Sequence, residues 1–370
     1  MRKKKVNIIF LIADSDFTGG PIQMLHLIEN LDKRQFSFVV IAPSGFLIKK
    51  LKAGGIKSIE FDFKKRLFGV RKLNKIIKEN LTNRDIIHCQ GVKAGHFGRL
   101  ANKKFKLPLI YTEHNWTKDY KLPQNWRAFF QLKMMKSMNK YTSHTVCVSQ
   151  AVQNFLISKR IVTADDSSVI YNGVKFRDIK KREDEDPIVL GVIASLHKRK
   201  GLIYLFEAMS KLKNVRDKKI ILKIVGAGPQ EGFLKQHSVD LGINFDIQWL
   251  GVREDLTDFW SNINIYVQPS LDESFGMAVA EAMGYKIPVI STTAGALPEV
   301  VGDTGLLVEP GNSEELVKAI QNVINNKTIR EENIERAYKK VKHYFSVDNM
   351  VAEYERLYLR VGGLVEEEEI

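Results

Sequence analysis

The chain has 370 residues, which is enough for two domains of roughly 100–200 residues each. A hydrophobic fraction of 44% and a charged fraction of 27% are ordinary for globular proteins and exclude a disordered or fibrous chain. The net charge of +14 is uneven: residues 1–180 carry 34 Lys and Arg against 13 Asp and Glu, whereas the remainder is net acidic. This asymmetry indicates that the first half faces a polyanion, either nucleic acid or an anionic membrane, with a solvated basic surface as the alternative.

The N-terminal apolar run resembles a signal peptide only superficially. Residues 6–13 form a short run that contains Asn7 and continues directly into Asp14, so they predict a first buried strand. No stretch approaches the roughly 18–20 apolar residues that span a bilayer. Cys89 and Cys147 lie in no metal or redox spacing, which favours buried thiols in a reducing compartment. We therefore expect a cytoplasmic protein, soluble or peripheral.

Short apolar runs alternate with amphipathic stretches, which is typical of parallel sheets with crossover helices. The predicted strands of the first half cover residues 6–13, 36–42, 58–61, 85–89, 109–112 and 145–148, with a last short strand closing on 172–174, and helices are predicted over 23–31, 71–79 and 125–138. The predicted strands of the second half cover residues 188–193, 220–225, 246–250, 263–267, 288–290 and 305–308. The pattern predicts an α/β chain of two doubly wound, Rossmann-like domains.

The domain boundaries follow from composition. We predict an N-terminal domain over residues 1–178, a charged linker over 179–187 and a second domain over 188–344. Residues 345–370 contain a helical stretch that can pack back on either domain.

Two strand-to-helix turns are candidates for phosphate binding. Gly19 and Gly20 let a phosphate or sugar approach backbone N–H groups at a helix N-terminus, with a plain turn as the alternative. Lys200 follows the first strand of the second half, from where it can reach a pyrophosphate, with a solvated basic turn as the alternative.

Residues 268–284 (QPSLDESFGMAVAEAMG) carry the strongest signal. Ser274 is predicted to cap a helix that begins near Phe275 and ends at Gly284, which makes the N–H groups of Gly276 and Met277 an anion site. Glu273 then precedes the helix and Glu281 lies about two turns within it, where carboxylates can accept hydrogen bonds from ribose and sugar hydroxyls. The alternative is that Glu281 is a buried, paired structural acid and Glu273 a surface cap.

Residues 273–284, followed by 288–290 and 299–300, resemble the nucleotide-sugar signature of family 4 glycosyltransferases. Residues 172–174, 200–201, 226–228 and 19–20 fall in the order and spacing of that family. The resemblance implies the GT-B fold, two Rossmann-like domains facing each other across a cleft that holds the active site. It also implies a retaining transferase that takes a sugar, from a UDP-sugar in our preferred reading, without a metal or other cofactor.

The resemblance also implies roles for individual residues. Glu273, His114 and Lys200 would be catalytic, with Glu273 on the donor sugar, His114 near the transferred sugar and Lys200 on the diphosphate. Glu281 would contact the ribose. Further donor contacts are implied for Gly19, Gly20, Arg199, Val252, Arg253, Ser274, Phe275, Gly276 and Met277. One departure stands out: many members have Gly-Arg-Leu where this chain has Ala194, Ser195 and Leu196, so Arg199 would substitute for the family Arg or Lys200 would act alone.

The expected chemistry is front-face displacement with retention, in which the leaving phosphate takes the acceptor proton. Double displacement with Glu273 as nucleophile is the alternative. Basic clusters mixed with apolar residues occur at 49–52, 64–68 and 103–106, and they favour binding to an anionic membrane surface. We therefore expect a lipid-linked or glycan acceptor, a role in polysaccharide synthesis and a location at the inner face of the plasma membrane.

Three alternatives belong to other functional classes. A sugar-nucleotide epimerase of related fold would not need a basic acceptor domain. A nucleic-acid-binding protein would explain the charge and leave the signature without a role, so we expect no nucleic-acid partner. A catalytically silent sugar-binding subunit would not need both Glu273 and Glu281.

Overall fold

The computed structural model describes residues 5–64, 66–115, 126–180, 182–183, 186–212, 214–215 and 218–364. It divides into two compact units, the first made of residues 1–173 with 347–370 and the second of residues 174–346. The division falls before the predicted boundary at residue 178, so the predicted linker lies within the second unit. Residues 181, 184 and 185 of that linker are outside the described residues.

The first unit is built on a parallel sheet with strand order β3-β2-β1-β4-β5-β6-β7. The central strands are buried along their whole length because helices cover both faces of a parallel sheet. The strands are β1 Val6–Ile12, β2 Phe36–Ala42, β3 Ser58–Glu60, β4 Asp85–Gln90, β5 Leu109–Glu113, β6 His144–Cys147 and β7 Ser167–Val169. The predicted last strand, closing on 172–174, corresponds to β7, which already ends at Val169, and Val174 forms only an isolated bridge with Ser346.

The helices of the first unit connect successive strands, except the last helix of the chain. They are α1 Gly19–Asn30, α2 Phe46–Ala53, α3 Arg66–Glu79, α4 Gly91–Phe105, α5 Trp126–Asn139 and α6 Gln150–Ser158. Helix α14, Val347–Val361, packs against α1 and the sheet, where Met350, Tyr354 and Tyr358 are buried in the core of this unit. The last helix, α14, and the first strand, β1, therefore share one hydrophobic core.

The second unit has a sheet with strand order β11-β10-β8-β12-β13-β14, which is parallel throughout, and a short β9 that pairs antiparallel with β10. The strands are β8 Ile188–Ile193, β9 Asn214–Val215, β10 Lys218–Val225, β11 Ile247–Gly251, β12 Ile265–Gln268, β13 Val289–Thr292 and β14 Leu306–Val308. The helices are α7 Leu202–Lys211, α8 Glu231–Asp240, α9 Thr257–Ser261, α10 Met277–Gly284, α11 Leu297–Val301, α12 Ser313–Asn325 and α13 Lys327–Tyr344.

Parallel strands determine where functional side chains collect. In each unit the carboxyl ends of the strands meet at one edge of the sheet, so residues that follow different strands become neighbours. Across the described part of the chain, no helix is long and apolar enough to cross a membrane.

Candidate active site

Lys200 and Glu273 form a buried ion pair in the second unit. Lys200 ends a 3-10 turn, Lys198–Lys200, that follows β8, and Glu273 lies in the loop that follows β12. The ammonium of Lys200 donates a hydrogen bond to Oε2 of Glu273, and both residues are less than a tenth exposed. The two loops are also joined through their backbones, because Leu271 N–H donates to the carbonyl of Arg199 at 2.7 Å. The structure therefore brings together two of the predicted catalytic residues.

Opposing effects act on the ionisation of Glu273. Burial disfavours its charged form, but the nearby charges of Lys200 and Arg199 and hydrogen bonds from Lys200 and Ser270 outweigh it. The pKa of Glu273 is therefore held below its ordinary value. A carboxylate in this state accepts hydrogen bonds from hydroxyl groups at neutral pH.

A row of buried polar side chains that we did not predict supports Glu273. Tyr266 donates to Gln268 Oε1 at 2.5 Å, Gln268 donates to Ser270 Oγ at 2.7 Å, and Ser270 Oγ lies 3.3 Å from Glu273 Oε2. Tyr266, Gln268 and Ser270 alternate along β12 and its extension. Polar residues at every second position of an otherwise apolar strand are the sequence signal that could have identified this row.

Helix α10 begins later than we predicted. Its first residue is Met277, and its N-cap residue is Gly276 rather than Ser274. Gly276 adopts a φ of 93°, a left-handed conformation that favours glycine. The N–H groups that begin a helix have no preceding helical turn to bond to, and they carry the positive end of its dipole. The predicted anion site at Gly276 and Met277 thus has a backbone basis, and the helix begins two residues after the predicted start near Phe275.

Glu281 differs from the structural acid that the alternative reading requires. It is the fifth residue of α10, just over one turn into the helix rather than about two. Its side chain is only partly buried, and its carboxylate makes no hydrogen bond or ion pair with any residue that the structure describes. Even so, the protein around it displaces enough water to raise the pKa of Glu281 to about 8. The buried and paired acid is Glu273, which is therefore not the surface cap of the alternative reading.

The other predicted donor contacts of this unit fall in two groups. Arg199 is exposed beside Glu273, and Val252 and Arg253 follow β11 at the same edge of the sheet. Val252 is 56% exposed, and Arg253 is tied back to the Leu250 carbonyl at 2.9 Å. Phe275 is different, because its ring is 2% exposed and packs 5.4 Å from the ring of Phe345. Its side chain is a core residue, which leaves only its backbone for a ligand.

The predicted residues of the first unit meet at the carboxyl edge of its own sheet. Gly19 and Gly20 are the first two residues of α1 rather than a separate turn, and His114 follows β5. Gln90, at the end of β4, lies between these elements: its Nε2 donates to Gln23 Oε1 of α1 at 3.0 Å, and its Oε1 lies 3.2 Å from His114 Nε2. Gln90 and Gln23 were not among the predicted site residues.

Glu113 holds the backbone of the His114 loop. One carboxylate oxygen accepts the N–H groups of His114 and Asn115, both at 2.9 Å, and the other accepts the hydroxyl of Tyr111. The guanidinium of Arg99 lies 4.2 Å from the centre of the Tyr111 ring. Burial raises the pKa of Glu113 against these hydrogen bonds. We did not predict Glu113, although an acidic residue that ends a buried strand is itself a sequence signal.

The basic clusters at 49–52 and 103–106 place their lysines at the surface. In the third cluster Lys65 lies outside the described residues. Among the residues that the structure describes, no group of three His, Cys, Asp or Glu could hold a metal ion.

Two family models and several known glycosyltransferases match this chain. Residues 17–177 match the family described as Glycosyltransferase Family 4, and residues 175–340 match the family described as Glycosyl transferases group 1. An uncharacterized glycosyltransferase of Methanocaldococcus jannaschii is 24% identical over 303 residues, covering 74% of this chain and 75% of the relative. The capsular polysaccharide biosynthesis glycosyltransferase CapM of Staphylococcus aureus is 26% identical over 301 residues, covering 74% and 76%.

Among solved structures, HepE of Anabaena in complex with UDP-glucose superposes with a TM-score of 0.82 at 23% identity, over 95% of this chain and 98% of that one. This likeness confirms the predicted α/β, GT-B fold class. Two family matches that follow one another along residues 17–340 confirm the predicted family. The chain belongs to the group 1, family 4 glycosyltransferases.

Proposed function

We propose that this glycosyltransferase is retaining and metal-independent, and that it moves a sugar from a nucleoside diphosphate sugar, with UDP as the favoured nucleotide. The observation that carries the proposal is the buried Lys200–Glu273 pair, which lies three residues before the N-cap of α10. It places a cation and an ionised carboxylate, from two loops that a backbone hydrogen bond joins, close to a helix N-terminus. HepE, solved with UDP-glucose, and CapM support this donor and the transfer to a polysaccharide precursor.

The proposed step is a front-face displacement. A bond forms between the acceptor oxygen and the anomeric carbon while the bond from that carbon to the phosphate oxygen breaks, and the departing diphosphate takes the acceptor proton. An ammonium has three hydrogens, so Lys200 can keep its hydrogen bond to Glu273 and still donate another to the diphosphate. With the N–H groups of Gly276 and Met277, it would stabilise the charge that develops on the leaving group where a divalent metal would otherwise act.

The remaining donor contacts follow the chemistry of the side chains. Glu273, ionised and held by Lys200, would accept hydrogen bonds from hydroxyls of the donor sugar. Glu281, whose carboxylate is unengaged among the described residues, would accept from the two ribose hydroxyls. Val252 and Arg253 would meet the nucleobase, mainly through their backbone, and Arg199 would supplement Lys200 in place of the family Arg.

The first unit would contribute to the acceptor and to the transferred sugar. Gly19 and Gly20 have no side chain at the start of α1, so the backbone N–H groups there would be open to a phosphate. His114 would contact the transferred sugar. The excess of basic residues in the first 180 positions supports an acceptor carried by a lipid phosphate or held at an anionic membrane, at the cytoplasmic face.

The release of nucleoside diphosphate from a panel of UDP-, GDP- and ADP-sugars tests the proposal. EDTA is present throughout, and each donor is tried with and without bacterial lipid extract. We expect turnover of one donor, stimulated by lipid and lost in Glu281→Ala. Glu332→Ala, at an exposed position on α13, is the matched control. The absence of turnover with every donor, together with no thermal stabilisation by any of them, would refute the transferase proposal.

A further inference from the structure

The side chain of Gln90 connects His114 to the core of the first unit. Gln90 is 2% exposed, and its amide is bonded on both sides, to Gln23 and to His114. An amide can turn over and exchange its donor and acceptor ends. Which ring nitrogen of His114 carries the hydrogen therefore depends on the orientation of the Gln90 and Gln23 amides.

The direction is fixed at its far end by Met350 of α14. Gln23 Nε2 lies 3.3 Å from Met350 Sδ, and a thioether sulfur can only accept a hydrogen bond. The amine of Gln23 therefore faces the sulfur and its oxygen faces Gln90. The amine of Gln90 in turn donates to Gln23, which leaves the Gln90 oxygen towards His114. Because that oxygen has no hydrogen, Nε2 of His114 must be the donor.

The ring of His114 is also kept neutral. Burial lowers the pKa of His114 to about 4. The imidazole of His88, which interacts electrostatically with His114, is neutral as well, because burial lowers its pKa to about 3, and its nitrogens are bonded to Tyr358 and Thr112. The carboxylate of Glu113 is occupied by backbone N–H groups and by Tyr111. A neutral ring with hydrogen on Nε2 carries a lone pair on Nδ1.

We infer that Gln90 is a positioning residue that fixes His114 as the Nε2–H tautomer, so that Nδ1 accepts a hydrogen bond from a sugar hydroxyl. No residue in the described part of the chain donates to Nδ1. A neutral acceptor recognises a hydroxyl group and cannot neutralise a phosphate, so His114 reads the sugar and not the diphosphate. The inference about the sugar rests on the proposed function, whereas the tautomer does not.

The tautomer can be measured directly in the full chain by NMR with ¹⁵N-labelled histidine, with His114→Gln to assign the signals. We expect the Nε2–H pattern for His114 in the native protein. In Gln90→Leu we expect a mixture of tautomers, and in Gln90→Glu the Nε2–H form with a His114 pKa raised by the added carboxylate. Gln153→Leu removes a hydrogen-bonded glutamine elsewhere in the same unit and should leave the pattern unchanged.

The Nδ1–H form in the native protein, or an unchanged pattern in Gln90→Leu, would overturn the inference. If Gln90→Leu does not fold, Gln90→Glu carries the test, since an unchanged His114 titration in that variant contradicts the contact. These readouts need no turnover, so they stay interpretable if the transferase proposal fails.

Kinetics then test the role in sugar recognition. Loss of one oriented hydrogen bond predicts a decrease in kcat/KM of about tenfold for Gln90→Leu. Because Gln90 acts through His114, adding Gln90→Leu to His114→Ala should cause no further decrease. Independent, multiplying effects of the two substitutions would contradict a positioning role.

Discussion

Glu281→Gln should change how the stability of the protein depends on pH. The pKa of Glu281 is about 8 in the folded chain, against 4.5 for an ordinary glutamate. Between these values the folded state holds a proton that the unfolded state has released, so the stability of the native protein falls as the pH rises from about 4.5 to 8. The glutamine variant lacks this loss, because its amide does not titrate.

The size of the effect follows from the two pKa values. One pKa unit corresponds to about 1.4 kcal/mol, so the full interval bounds the loss at about 5 kcal/mol. Glu281 is partly exposed, and water that reaches its carboxylate reduces the loss, so we expect about 2 kcal/mol or more.

Urea unfolding at pH 5, 7 and 9, followed by tryptophan fluorescence, measures this difference. Trp249 and Trp260 report on the unit that contains Glu281. We expect Glu281→Gln to match the native protein near pH 5 and to exceed it at pH 9. Glu332→Gln, exposed on α13, should follow the native protein at every pH. Parallel curves for the native protein and Glu281→Gln would show that the protein around Glu281 does not disfavour its charge, and the reasoning would fail.

Three further predictions concern the donor site. Lys200→Met leaves the buried Glu273 carboxylate unpaired and should lower the free energy of unfolding in urea by about 3 kcal/mol. Combining it with Glu273→Gln should recover most of that loss. Equal stability of the single and double variants would contradict the buried pair. Gly201→Ala should abolish turnover and destabilise the protein, because Gly201 has a φ of 64° and the added Cβ would lie 2.0 Å from the Pro269 carbonyl oxygen. At Gly232 an added Cβ would have nothing within 4 Å, so the control Gly232→Ala should retain both activity and melting temperature. UDP affinity, measured by calorimetry, should increase as the pH rises through 8 if ionised Glu281 accepts the ribose hydroxyls, and Glu281→Gln should bind with a flat pH profile.

Much of the fold could be predicted because the pattern of apolar residues along the chain indicates where strands and helices lie. Buried parallel strands are short continuous apolar runs, and the predicted strands at 36–42 and 188–193 agree with β2 and β8 at both ends. Helix beginnings were less predictable. Helix α10 starts at Met277 because glycine at 276 can adopt a left-handed conformation, and the more familiar capping signal of Ser274 pointed two residues upstream.

The candidate site was predictable where one short segment contains it. Residues 273–284 hold both glutamates and the helix N-terminus, so Glu273 and Glu281 could be identified from sequence. The environments of these glutamates could not be predicted, because the partner of Glu273 is Lys200, which lies 73 residues away along the chain. Gln90 escaped prediction for the same reason, since its two partners lie 67 and 24 residues away along the chain.

Time-resolved ¹H NMR of a UDP-α-hexose incubated with the protein, EDTA and acceptor extract tests the central claim most directly. We predict UDP release without metal and an α-configured product as the first species formed. The folded double variant, Lys200→Met with Glu273→Gln, should release no UDP. A β-configured first product would contradict retention, and turnover by the double variant at the native rate would contradict the assignment of catalysis to the Lys200–Glu273 pair.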